Sequence, residues 1–177
     1  LVCAFEWGRL GKLPSVKWLK TDPPKVNFLT DREVQRLLAT QAQEMWSVMT
    51  LLALRTGMRI GEILALHWDE VDFRESQICV CHSLCNGKVA SPKNNQIRYI
   101  DMTPGLREQL DEWKRAAEGQ HGLVFKSRTT GGPLSRDTAL IALHQACERV
   151  GVRKVGRHSL RHTFATQLTA KGVPIRT

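Results

Sequence analysis

The spacing of apolar residues changes between residues 77 and 102, and this change limits the possible folds more than any other feature of the chain. Outside that segment apolar side chains recur at helical intervals, as they do in residues 104–113. Inside it they alternate with polar residues, and Asn86-Gly87 is a strong signal for a tight hairpin turn. A second turn is predicted at Lys93-Asn94-Asn95, before a third strand. The sequence therefore predicts a mainly helical α+β domain with one small three-stranded antiparallel sheet.

Helix boundaries are marked by local signals. Thr30 and Glu33 have the spacing of a capping box ahead of an apolar helix. A second helix near 43–56 is apolar on most sides, so we expect it to be central, and Gly57 ends it. A third helix is predicted to start near Arg59. Further helices are predicted from Pro104, from Ser135 to Val150 and from Arg157 to Lys171.

Two consecutive prolines divide the chain into unequal parts. Pro23-Pro24 cannot continue a helix, so residues 20–27 are interpreted as a stiff linker. Residues 1–19 are predicted to be the end of an N-terminal helical domain. Residues 28–177 are predicted to be a second domain.

Charge is distributed unevenly and favours a polyanionic partner. The net charge is +9, and no acidic residue follows Glu148, whereas seven basic residues do. Lys and Arg on a folded surface neutralise phosphates, which favours nucleic acid; a solvated basic face is the alternative. No apolar run reaches the about 20 residues that a membrane helix needs, and no secretory signal is recognisable. We expect a cytoplasmic protein without a membrane partner.

The five cysteines raise the question of a metal site. An odd count without a secretory signal is typical of a reduced cytosolic protein. Cys79, Cys81, Cys85 and His82 lie close together in sequence, but their spacing is not that of a zinc motif. Strand alternation would also put His82 on the face opposite the cysteines. Ordinary strand cysteines are the favoured interpretation, and no metal or other cofactor is expected.

Polar side chains that could take part in chemistry occur at four places. Arg59 and Glu62 are three residues apart at a helix start, so a guanidinium braced by a carboxylate could bind two phosphate oxygens. A surface ion pair is the alternative interpretation. Lys93 lies at the predicted hairpin tip, from which an ammonium could donate a proton to a leaving group. His158 and Arg161 share one face of the last helix, whereas His162 is interpreted as structural.

The order and wording of these motifs resemble the tyrosine recombinase family. The segment 56–66, Thr-Gly-Met-Arg-Ile-Gly-Glu-Ile-Leu-Ala-Leu, is similar to the family's first arginine motif. The segment 158–166, His-Ser-Leu-Arg-His-Thr-Phe-Ala-Thr, is similar to the second, and Lys93 falls between them as the family's lysine does. The resemblance runs from about Phe28 to the end of the chain. It implies a tyrosine-recombinase-like catalytic domain preceded by the last helix of a DNA-gripping domain.

The resemblance also implies a role for each site residue. Arg59 and Arg161 would bind the non-bridging oxygens of the scissile phosphate, and Glu62 would support them. His158 would hydrogen-bond the same phosphate, and Lys93 would protonate the departing 5′ oxygen. Arg59, Lys93, Arg157, His158 and Arg161 form the expected DNA-contacting set. We expect Arg59, His158 and Arg161 to line one basic concave surface with Lys93 at its edge, and the resemblance implies no metal.

The family's chemistry needs a tyrosine nucleophile beyond the second motif, so the resemblance implies that the catalytic domain at 28–177 is incomplete at its C-terminal end. The only tyrosine of this sequence is Tyr99, which we expect to pack in the sheet. The resemblance therefore implies site-specific recombination or integration through a 3′-phosphotyrosyl intermediate, with these 177 residues inactive by themselves. The expected partner is double-stranded DNA, with a full-length tetramer on DNA and a monomeric fragment. The alternatives are a non-catalytic DNA-binding module derived from a recombinase and a metal-dependent phosphoesterase, whose expected Asp/His clusters are absent from the sequence.

Overall fold

The computed structural model describes residues 27–39, 44–85, 87–91, 97–117 and 121–173. Predictions for residues 1–19, for most of the linker at 20–27 and for Lys93 lie outside these ranges. The helices of the described part are α1 (Asp31–Leu38), α2 (Met45–Thr56), α3 (Ile60–Leu64), α4 (Pro104–Ala116), α5 (Arg136–Arg149) and α6 (Arg157–Ala170). The strands are β1 (Val71–Asp72), β2 (Gln77–Val80), β3 (Ser83–Cys85), β4 (Lys88–Ala90) and β5 (Arg98–Asp101), and a 3₁₀ turn spans Trp68–Glu70.

Helix α2 is the centre of the described core, as its apolar sequence predicts. It contacts the other five helices, and Leu52 and Leu54 are among its fully buried side chains. Gly57 ends the helix in the left-handed region with φ 62°, and its N–H donates a hydrogen bond to the carbonyl oxygen of Ala53. None of the helices in the described ranges is long and apolar enough to span a bilayer.

Side-chain caps begin three helices where the sequence predicts them. In α1 the Thr30 hydroxyl accepts from the N–H of Glu33, whose carboxylate accepts from the N–H of Thr30, so the capping box is confirmed. Thr103 caps α4 and Ser135 caps α5 through their hydroxyl oxygens. These contacts act within one turn, which explains why the helix starts could be read from the sequence.

The antiparallel sheet has the predicted three strands, but its members differ from the prediction. Its order is β1-β2-β5, with Ile78 opposite both Val71 and Ile100. The hairpin around Gly87 pairs β3 with β4 in a separate two-stranded sheet. The expectation that three consecutive strands form one sheet is therefore wrong. Burial decides the pairing, because β2 and β5 each turn one face towards the helices, whereas β4 is exposed along its length.

Tyr99 does not pack into the domain as predicted. It lies in β5 opposite Cys79, but 68% of its surface is exposed. The side chains of β5 alternate between half-buried and exposed, and Tyr99 shares the open face with Asp101. Its place in the strand was predicted correctly, whereas its burial was not.

Candidate active site

The turn between α2 and α3 holds the first predicted pair, Arg59 and Glu62. Arg59 is the extended residue before α3, and Glu62 lies one turn into that helix. The Glu62 carboxylate accepts two hydrogen bonds from Arg59, one from its backbone N–H at 2.7 Å and one from Nη1 at 2.9 Å. The carboxylate therefore sets both the start of α3 and the direction of the Arg59 side chain.

Arg98 of β5 is a member of the cluster that the sequence analysis missed. Its Nη1 and Nη2 donate to Oε1 and Oε2 of Glu62 at 3.1 and 2.7 Å, a two-pronged arginine–carboxylate contact. The signal available in the sequence was weak: Arg98 lies two residues before Ile100, so strand alternation places both side chains on the face that packs against the domain. Only the packing of β5 near α3 identifies its partner.

Glu62 is a buried anion held by cations. Its side chain is 1% exposed. Burial alone would raise the pKa of Glu62, but hydrogen bonds from Arg98 and Arg59 lower it below its usual value. Glu62 is therefore a carboxylate at neutral pH. The interpretation of Arg59 and Glu62 as a surface ion pair is wrong, because the acidic partner is buried.

Helix α6 brings Arg161 to the same turn. Its Nη1 donates to the carbonyl oxygen of Gly57, two residues before Arg59. Burial, and then the positive charge of Arg59, lower the pKa of Arg161; Arg98 acts in the same direction and Glu62 opposes it. Arg59 and Arg98 contact the Glu62 carboxylate, and Arg161 lies close enough to interact electrostatically with all three. Three guanidinium groups and one carboxylate leave two positive charges in excess. Such a cluster is suited to binding an anion with several oxygens, such as a phosphate.

The remaining predicted residues lie in different surroundings. His158 is exposed and lies one turn before Arg161 on α6, so the two are on the same side of the helix. The exposed His162 has no hydrogen bond among the described contacts that would support a structural role. Arg157 is not part of the arginine cluster: its Nη1 is buried and lies 3.5 Å from Asp137 of α5. Its expected contact with DNA stays a prediction.

A second polar cluster lies around the 3₁₀ turn, and the sequence analysis missed it. His67, Glu70 and His82 each offer a ligand atom within 4.8 Å of the others. Strand β2 ends before Cys81, so alternation does not continue to His82, and the thiol of Cys81 and Nδ1 of His82 both contact Glu70. Burial and the Glu70 carboxylate raise the pKa of Cys81 to about 12. The expectation that His82 points away from Cys81 is therefore wrong, since the Cys81 sulfur lies 3.4 Å from Nδ1 of His82.

The arginine cluster, carried by a basic helical domain, is typical of proteins that bind phosphodiesters. The sequence model of the phage integrase family matches residues 27–177. The chain therefore belongs to the phage integrase family, and the predicted family resemblance is confirmed. Its mainly helical architecture with a small antiparallel sheet is that of a tyrosine recombinase catalytic domain.

Similar proteins come from bacteria, phages and transposons. A tyrosine recombinase XerC-like protein of Caldanaerobacter subterraneus subsp. tengcongensis is 25% identical over 86% of this chain and 46% of its own length. The integrase of Salmonella phage P22 is 27% identical over 96% of this chain and 44% of its own. This chain thus spans about half the length of these relatives. The structure of the Tn1549 transposon integrase with a circular intermediate DNA has a TM-score of 0.75 at 19% identity, covering 88% of this chain and 57% of that one, which shows a shared fold.

Proposed function

We propose that this chain supplies the phosphate-activating part of a site that cleaves and rejoins DNA strands during site-specific recombination or integration. The proposal rests on one observation above all, the meeting of Arg59, Arg98 and Arg161 around the buried Glu62. Positive charge fixed where negative charge develops is usually the largest contribution to catalysis. The reaction passes through a 3′-phosphotyrosyl intermediate, as in the tyrosine recombinases.

Each side chain of the proposed site has a separate task. Arg59 and Arg161 bind the non-bridging oxygens of the scissile phosphate, and Glu62 holds Arg59 in place. His158 donates a hydrogen bond to the same phosphate from its exposed position on α6. Lys93 protonates the 5′ oxygen as it leaves. Two arginines supply the positive charge, so this chemistry needs no metal or organic cofactor.

Double-stranded DNA is the proposed partner, because seven basic and no acidic residues follow Glu148, and an excess of positive charge favours a polyanion. The relatives that resemble this chain include proteins of phages and mobile elements. We propose that the whole enzyme assembles as a tetramer on its DNA site in the cytoplasm, while these 177 residues alone are monomeric. Light scattering with and without a duplex tests the assembly.

The salt dependence of duplex binding tests the phosphate site. We expect weak binding with little sequence preference that falls steeply as salt rises. Arg161→Ala should weaken binding to every duplex and reduce the slope of log affinity against log salt by about 1. Arg115→Ala is a matched control, since it also removes one arginine, 68% exposed, but from α4 outside the cluster.

The comparison of the two variants decides the result. A slope change in Arg161→Ala without one in Arg115→Ala supports a phosphate contact at Arg161. Equal slope changes in Arg161→Ala and Arg115→Ala would mean that the effect reflects net charge alone, and would contradict the proposed site. Circular dichroism of each variant checks that α6 remains folded.

A further inference from the structure

The second polar cluster has the donor atoms of a transition-metal site. His67 and His82 offer ring nitrogens, and Glu70 offers a carboxylate oxygen within 4.8 Å of both. Cys81 adds a sulfur that lies 2.8 Å from Oε1 of Glu70 and 3.4 Å from Nδ1 of His82. A tetrahedral Zn²⁺ ion with its usual bond lengths holds neighbouring ligand atoms about 3.3 to 3.6 Å apart. The donor atoms of His67, Glu70 and His82 are therefore close enough to share one ion, and the Cys81 sulfur lies beside two of them.

Backbone contacts orient two of these side chains independently of any ion. Nδ1 of His67 lies 2.9 Å from the carbonyl oxygen of Ala65, so it carries the proton and leaves the lone pair on Nε2. Oε2 of Glu70 accepts from the backbone N–H of His67 at 2.8 Å, which leaves Oε1 towards Cys81 and His82. Histidine and carboxylate ligands of metal ions typically have such partners on their far side.

We propose that His67, Glu70 and His82 bind one divalent transition-metal ion of the zinc class, and that the neighbouring Cys81 thiol turns towards the ion as its fourth ligand. Two nitrogens, one oxygen and one sulfur complete a tetrahedral shell, so no coordination position stays open for a substrate and the ion is structural. It joins the 3₁₀ turn to the residues between β2 and β3. Strand β3 packs against α3, the helix that carries Glu62, so the ion would stiffen the support of the arginine cluster.

Metal binding to the chelator-treated protein tests the site. Zn²⁺ is titrated in competition with a chromogenic chelator, and thermal unfolding is followed with and without the ion. We expect one equivalent per chain and a rise in Tm, because the ion binds the folded state. His67→Ala and His82→Ala should each lower the Zn²⁺ affinity by about tenfold or more. His162→Ala is the control, since it removes an exposed histidine of α6 outside the cluster.

His82 is the safer of the two test positions, because its side chain is 44% exposed and its replacement leaves the core intact. Co²⁺ substitution then tests the sulfur: a thiolate-to-cobalt absorption band is expected, and Cys81→Ser should remove it. Absence of the band overturns the assignment of Cys81 as a ligand. Absence of stoichiometric binding, or an affinity that His82→Ala leaves unchanged, overturns the site and leaves only a hydrogen bond between Glu70 and His82.

Discussion

Replacing Gly57 by alanine tests how the arginine cluster is held together. Gly57 ends α2 with φ 62°, a conformation that residues with a Cβ rarely adopt. A Cβ at this position would lie 2.3 Å from Cδ1 of Phe164 on α6. The carbonyl oxygen of Gly57 accepts the hydrogen bond from Arg161, and Arg59 lies two residues after Gly57. The substitution therefore acts on backbone strain, helix packing and the site together.

The expected loss of stability has two parts. The left-handed conformation costs an alanine about 1 to 2 kcal/mol. Forcing a methyl group into the Phe164 ring adds about 1 to 3 kcal/mol, the usual range for overpacking. We therefore expect Gly57→Ala to lower the free energy of unfolding by about 2 to 5 kcal/mol, or Tm by about 4 to 20 °C for a domain of this size.

A matched variant separates the two parts. Gly151 has φ 64° and nothing within 4 Å of the position of an added Cβ, so Gly151→Ala reports strain alone. Urea unfolding of both variants should show the larger loss in Gly57→Ala. In a Phe164→Ala background, Gly57→Ala should cost only about as much as Gly151→Ala, about 1 to 2 kcal/mol.

The same proteins give a functional result. Gly57→Ala should weaken duplex binding, because the turn that positions Arg59 and Arg161 is displaced, whereas Gly151→Ala should not. Equal destabilisation by the two substitutions, unaffected by Phe164→Ala, would refute the proposed contact between Gly57 and α6. Unchanged duplex binding by a destabilised Gly57→Ala would refute its role in the site.

Two further predictions concern Glu62 and the nucleophile. Folding lowers the pKa of Glu62, so the ionised Glu62 stabilises the folded state. This contribution to the free energy of unfolding is complete at pH values above the usual pKa of 4.5, and it is lost as pH falls through the lower pKa of the folded state. Glu62→Gln should lower the free energy of unfolding by about 3 to 5 kcal/mol at pH 7 and by progressively less in acid, as measured by urea unfolding. The control Glu148→Gln removes a partner of an exposed ion pair and should lower it only slightly. A loss for Glu62→Gln that does not change with pH would contradict the argument. A polypeptide of these 177 residues should form no covalent adduct with a nicked suicide DNA substrate on a denaturing gel, because its one tyrosine, Tyr99, is held in strand β5. An adduct that disappears in Tyr99→Phe would contradict that prediction.

Local features of the fold could be predicted from sequence because their causes lie within one helical turn. Thr30 and Glu33 cap α1, and Gly57 ends α2, each through contacts with residues at most four positions away. The contact between Arg59 and Glu62 has the same origin, since residues three apart on a helix share a face. The order of the two arginine motifs also indicated the family, which the family match confirms.

Contacts between distant segments were decided by tertiary packing. Arg98 and Glu62 are 36 residues apart, and Arg161 and Gly57 are 104 apart, so no local pattern specifies either contact. Their meeting depends on which faces of β5 and α6 are buried against the domain. The pairing of β2 with β5 has the same cause, because a hairpin signal determines a turn but not the partner that buries a strand's apolar face.

The alternation of side chains along a strand could not predict the cluster around Glu70. Alternation separates Cys81 from His82 only while the chain remains a strand, and β2 ends at Val80. Beyond that point the path of the backbone sets side-chain directions, and it brings both residues to Glu70. The sequence by itself determined the helices, their ends and the local pairing of Arg59 with Glu62, because neighbouring residues supply those contacts. Tertiary structure alone decided the arginine cluster and the Glu70 cluster, because burial of remote apolar faces places their members together.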